Sequence, residues 1–158
     1  MPMARRETRG LTETEIAALS PGLHAALTVA GARPRIIARS ALGARISALW
    51  RRDVPVLTWG QSIYWPGALT DFSNTGHNMG VLQHELQHVL EFTTGKLTHL
   101  GYGLNPRNWS YAYAPTREWS AYGAEQRAQI VQDLWLTERG LGPSLAPLDW
   151  YRGVIPWA

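Results

Sequence analysis

Apolar residues recur at helical spacing in two long stretches of the chain and in strand-like runs in two shorter ones. Leu82, Leu86, Val89 and Thr93 fall at i, i+4, i+7 and i+11. That period predicts a helix from about His77 to Thr94, stopped by Gly95. Ala121, Ala124, Ala128, Val131 and Trp135 repeat the spacing and predict a second long helix from about Arg117 to Arg139. Nearer the N-terminus, Leu11-Thr12-Glu13-Thr14-Glu15-Ile16 reads as a helix start. Thr12 and Glu15 have capping-box spacing, and Leu11 with Ile16 that of a hydrophobic staple. Ser20-Pro21 opens another helix, with Ser20 as cap and Pro21 in the first position, and Gly31 ends it. The β-branched run Arg35–Arg39 after Pro34 predicts a strand. Val56–Trp65 predicts one or two strands, with Gly60 at a bend or bulge. Residues 66–76 read as a loop, and 96–117 as a Gly-, Pro- and Asn-rich connection with a strand at Trp109–Tyr113. The tail from Gly140 reads as irregular chain wrapping back on the domain, and residues 1–10 as a flexible arm.

These elements predict an α+β fold over residues 11–158, in which a small sheet packs on the first long helix and on the second. The length of 158 residues suits a single domain, and 45% hydrophobic with 17% charged residues describes a globular chain. No stretch is long and apolar enough to span a membrane, and no apolar run follows the basic N-terminus as a signal peptide requires. The expectation is therefore synthesis in the cytoplasm, with any export by another route. The net charge of +3 is spread over dispersed arginines, apart from Arg5-Arg6 and Arg51-Arg52, so no nucleic-acid groove is expected. Cysteine is absent, so any metal must sit on His, Asp or Glu. Of the eight tryptophans, Trp59, Trp65, Trp109 and Trp119 are expected to line a cleft.

The chemistry concentrates at His84-Glu85-Leu86-Gln87-His88. On a helix, His84 and His88 lie one turn apart on one face and can share one zinc ion, while Glu85 is rotated beside the metal. There it can act as general base toward a water whose pKa the metal lowers, the logic of the H-E-x-x-H motif. A third protein ligand is needed. Positions 91 and 94, where a metzincin carries Gly and a third His, hold Glu91 and Thr94, so an acid on a later helix is expected. Glu125 is the first choice, on one face with Gln129 and Asp133; Glu118 is the second and Asp133 the third. Tyr111, Tyr113, Tyr122 and His99 could donate to an oxyanion, with Tyr113 preferred. His24 and His77 are expected at the surface. The strand ending at Tyr64-Trp65 is expected to form the cleft rim, where a peptide could add in extended form.

Three segments together resemble a family of small gluzincin-type HExxH zinc metallopeptidase domains of contractile injection systems and polymorphic toxins. That family includes Vgr-related proteins and the C-terminal domain of some VgrG spike proteins. The segments are Leu57–Trp65, His84–Val89 and Tyr122–Val131. Family members carry a glycine-centred strand, the HExxH helix and a G/N-x-E-Q-x-A helix that supplies the third ligand. Gln87 and Arg127 depart from the pattern, where the family has a small residue and Gln. The resemblance implies a minimal zincin-like fold and a zinc peptidase with His84, His88 and Glu125 as ligands. It further implies an antibacterial effector of type VI secretion with a cognate immunity protein, acting on a protein, a peptide or a peptidoglycan stem peptide. The alternative is a non-catalytic zinc-containing interaction module of a secretion apparatus.

Overall fold

A computed structural model describes residues 8–39, 56–68, 70–142 and 144–158 of the protein. Residues 1–7 of the expected arm and the Arg51-Arg52 pair lie outside them. Four short strands, Thr8–Arg9 (β1), Arg35–Ile37 (β2), Leu57–Trp59 (β3) and Ser62–Tyr64 (β4), form one sheet in the order β1-β2-β4-β3. The β2–β4 pair is parallel and the other two are antiparallel. Among the described residues, the helices are Glu13–Ala18 (α1), Pro21–Val29 (α2), Gly76–Thr93 (α3), His99–Leu104 (α4), Ala124–Glu138 (α5) and Leu148–Val154 (α6). The fold is α+β, as the pattern of elements predicts.

Local signals account for most of these elements. Thr12 accepts the Glu15 N–H and Glu15 accepts the Thr12 N–H, so the capping box that opens α1 is complete. Gly60 has φ 64 and starts the two-residue turn that folds β3 back on β4. Of the one or two strands expected within Val56–Trp65, two are present. Gly95 (φ 72) follows the end of α3, also as expected.

Several expectations are corrected. Thr8 and Arg9, read as part of the arm, pair with β2. Ser20 does not cap α2 with its side chain; its backbone N–H donates to Gln83 Oε1 on α3 instead. No strand forms over Trp109–Tyr113. Asn105 caps a 3-10 turn at Pro106–Trp109, and the Ala112 and Ala114 carbonyls are taken by the Gln126 amide and the Tyr122 hydroxyl. The second long helix begins at Ala124 rather than near Arg117, after a separate 3-10 turn at Trp119–Ala121. The tail contains α6, whose Tyr151 is fully buried. Finally, the strand expected to be the rim, β4, lies inside the sheet, and β3 is its outer neighbour.

The core is continuous through Leu23 and Leu27 of α2, Ile36 and Ile63 of the sheet, Met79, Leu82, Leu86 and Val89 of α3, and Ile130, Val131 and Leu134 of α5. Consequently α3 is buried along most of its length, polar positions included. Its closest neighbour, α5, approaches at Gly80, where a Cβ would meet Leu136 Cδ2 at 3.1 Å.

Candidate metal centre

Burial of α3 decides the character of the site. His84 and His88 are 5% and 3% exposed, and α5 brings Glu125, 3% exposed, against them. Glu125 Oε2 lies 2.9 Å from His84 Nε2, and its Oε1 lies 3.3 Å from His88 Nε2. One ligand atom from each of the three residues lies within 4.8 Å of the others. His88 Nε2 makes no hydrogen bond of acceptable geometry despite its burial, nor does the Nδ1 of either histidine among the described residues. A buried ring nitrogen left without a partner is costly, and a cation between the three side chains would satisfy His88 Nε2, though not the two Nδ1 atoms. Two imidazoles and a carboxylate are also the donor set that suits zinc with an open fourth position. His84, His88 and Glu125 thus form a buried group that can hold a metal ion.

The electrostatics agree with shared charge. Burial alone would raise the Glu125 pKa, but the hydrogen bond from His84 and the closeness and charge of both histidine rings reverse this and hold it well below the usual carboxylate range. Burial alone would likewise lower that of His88. Glu125 outweighs it, with Glu85 and Glu91 adding, and the net shift is upward.

Backbone docking positions Glu125. At Gly123 a side chain is excluded by the Arg107 carbonyl, the Ala124 N–H donates to Asn108 Oδ1, and the Gly123 N–H donates to Gln126 Oε1. The start of α5 is thereby pinned to the 3-10 turn at Pro106–Trp109. Tyr102 on α4 donates its hydroxyl to Glu125 Oε1. Burial first, then Glu125, raises the pKa of that hydroxyl, which keeps it a donor. The Tyr111 ring stacks on His84, with centroids 5.7 Å apart and planes at 24°.

Glu85 stands outside the ligand group. It is 6% exposed, and its Oε2 accepts a 2.7 Å hydrogen bond from the hydroxyl of Thr58 on β3, itself 3% exposed.

Other expected residues fall elsewhere. Tyr113 donates to Asp133 Oδ2 at 2.6 Å and shares a 3.0 Å contact with the Tyr151 hydroxyl, and partial burial together with these contacts raises the pKa of the Tyr113 phenol. Asp133 also accepts from Gln129 and does not join the ligand group. Glu118 is exposed at the foot of a 3-10 turn, beside a cavity of about 390 Å³ shared with Trp119 and Trp150, and is not in the group. Tyr122 is buried, with its hydroxyl on the Ala114 carbonyl. His99 stacks on Trp59 at 4.3 Å, while His24 and His77 are exposed, as expected. Trp65 packs on Phe72, and Trp119 lines a cavity with Trp157. Trp59 and Trp109 remain about half exposed. Tyr102 and Thr58 were not singled out by the sequence. Thr58 lies within the resembling strand Leu57–Trp65, where no residue but the central glycine carries a signal, and Tyr102 in a six-residue helix within a glycine-rich stretch.

Gln87 and Arg127, the two departures from the resembling pattern, converge on one partner. Arg127 binds both oxygens of Glu91, at 2.6 and 2.7 Å, and Gln87 donates to Glu91 Oε1 at 2.9 Å.

Comparisons with protein-family models, curated proteins and solved structures find no match to this chain. No helix among the described residues is long and apolar enough to cross a membrane.

Proposed function

We propose that the chain is a zinc-dependent metallopeptidase, with His84, His88 and Glu125 as ligands and Glu85 as general base. The observation that carries this reading is the placement of Glu85. A second buried carboxylate, one residue from a ligand and held by its own hydrogen bond, has no use in a site that only stores a metal. Leaving it there unneeded would be costly. Zinc in such a group polarises an amide carbonyl and brings the pKa of water to about 7. Glu85 has one oxygen engaged by Thr58, which leaves Oε1 to take the proton from the attacking water and pass it to the departing amine. Tyr111, stacked on His84, is nearer to the ligands by its contacts than Tyr113, whose hydroxyl donates to Asp133, and so takes its place as oxyanion donor, while the Tyr102 hydroxyl orients Glu125. An extended peptide could add to β3, the outer strand of the sheet among the described residues. The resemblance to domains of contractile injection systems supports a peptide or a peptidoglycan stem peptide as substrate, delivery as an effector, and a cognate immunity protein.

One observation favours the alternative of a non-catalytic zinc module: His84, Glu85, His88 and Glu125 are all 6% exposed or less, so entry is narrow. Metal analysis and a peptide-cleavage assay on the wild type and Glu85→Gln separate the readings. The peptidase reading expects zinc in both proteins, cleavage by the wild type and a loss of about a hundredfold or more in Glu85→Gln. Zinc in both with no cleavage of any peptide or stem peptide by the wild type favours the non-catalytic interaction module.

A further inference from the structure

The side chain of Thr58 is spent entirely on Glu85. Its hydroxyl donates to Glu85 Oε2 at 2.7 Å and lies 3.4 Å from the Glu85 carbonyl oxygen, in surroundings that leave Thr58 3% exposed. The carboxylate is therefore fixed at one oxygen by a group on a different element, 27 residues away in sequence. The backbone of the same residue points the other way. On β4, the Gln61 and Trp65 positions bond to β2: the Arg35 N–H donates to the Gln61 carbonyl, and the Trp65 N–H donates to the Ile37 carbonyl. By the alternation of strand bonding, Ile63 also faces β2, whereas Ser62 and Tyr64 face β3. Thr58 is paired with Ile63, so the Thr58 N–H and C=O are directed away from β4, to the outer side of β3.

We propose that Thr58 is the positioning residue for the general base, and that it couples β3 to the catalytic carboxylate: its hydroxyl orients Glu85 while its backbone faces an extended peptide. The proposal rests on the peptidase reading above for its functional half. Its structural half, the hold on Glu85, does not. A hydrogen bond from a neutral hydroxyl to a buried carboxylate is strong because the acceptor is charged, and an unheld Glu85 would sample rotamers turned away from the substrate.

Two measurements test it. In the first, Thr58→Val, which keeps the side-chain shape and the backbone, is compared with Thr58→Ser, which keeps the hydroxyl. Steady-state peptide cleavage is expected to show kcat reduced by about ten- to a hundredfold in Thr58→Val. KM should be little changed, and kcat largely restored in Thr58→Ser; zinc content should equal that of the wild type in both. Equal kcat in Thr58→Val and the wild type overturns the positioning role. In the second, denaturant unfolding of metal-free Thr58→Val, Glu85→Leu and the double variant forms a cycle. Thr58→Val should lower the unfolding midpoint in the wild-type background and not in the Glu85→Leu background. Additive effects overturn the hold on Glu85, whatever the activity. Coupling in the cycle together with an inactive wild type defeats the peptidase reading while leaving the Thr58–Glu85 contact standing, so the two failures are distinguishable.

Discussion

At Gly123 an added Cβ would lie 2.0 Å from the Arg107 carbonyl oxygen and 2.9 Å from its carbon, and both partners are backbone, so no rotamer change relieves the contact. The φ of −71° at this residue is ordinary, which makes the requirement for glycine steric rather than conformational. Because Gly123 precedes Glu125 by two residues, the contact sets where the carboxylate enters the site. Gly123→Ala is expected to displace the start of α5 and weaken metal binding by about ten- to a hundredfold in competition with a chromophoric chelator. Gly153→Ala, on α6 with open space at its Cβ, should leave metal affinity unchanged. The sequence exposed the Gly-x-Glu spacing but not its cause, since the carbonyl that excludes a side chain belongs to a residue 16 positions earlier.

Between elements, the pairing of α3 with α5 governs the site, and a buried ion pair ties the two helices one turn beyond the ligands. Glu91 is 2% exposed and bound by both arms of Arg127, with Gln87 as a further donor. A bidentate guanidinium–carboxylate pair in such surroundings fixes the register of one helix on the other. Removing one partner strands the other charge in the core. Arg127→Met should therefore lower unfolding free energy by about 3–5 kcal/mol. Arg127→Met with Glu91→Leu should recover much of that loss, both read by denaturant unfolding. The pattern of apolar positions made both helices legible, with α3 correct to within one residue at each end. It placed the start of α5 too early because Ala121 continues the helical period across Gly123. Tertiary docking of that glycine overrode the period.

For the whole molecule, Glu15 joins three parts of the fold, two of them near it in sequence and the third 57 residues away. It binds Arg9 of β1 through both oxygens at 2.8 Å, closes the cap of α1 at Thr12, and accepts the Phe72 N–H at 3.0 Å from the loop before α3. Burial would raise its pKa, but Arg9 and the two backbone donors outweigh that and lower it from 4.5. A carboxylate with a depressed folded pKa contributes stability that is fully present above its unfolded pKa and disappears as pH falls through the folded value. The protein should thus lose stability progressively below about pH 4.5. Glu15→Gln should be less stable than the wild type at pH 7 by about 3 kcal/mol, with the gap closing toward pH 3, as read by denaturant midpoints across that range.

By itself the sequence determined the helix that carries His84, Glu85 and His88, the caps and turns around α1 and β3–β4, and the absence of thiolate ligands. Each follows from rules that act within a turn or two of chain: periodicity, side-chain capping, positive-φ glycine and composition. The choice of Glu125 over Glu118 and Asp133, the hold of Thr58 on Glu85 and the contact of Tyr102 with Glu125 were decided only in tertiary structure. Those contacts join elements whose separation along the chain imposes no local pattern. Which acid meets the histidines depends on the angle and register at which two buried helices pack, and packing is a property of the whole core rather than of any segment.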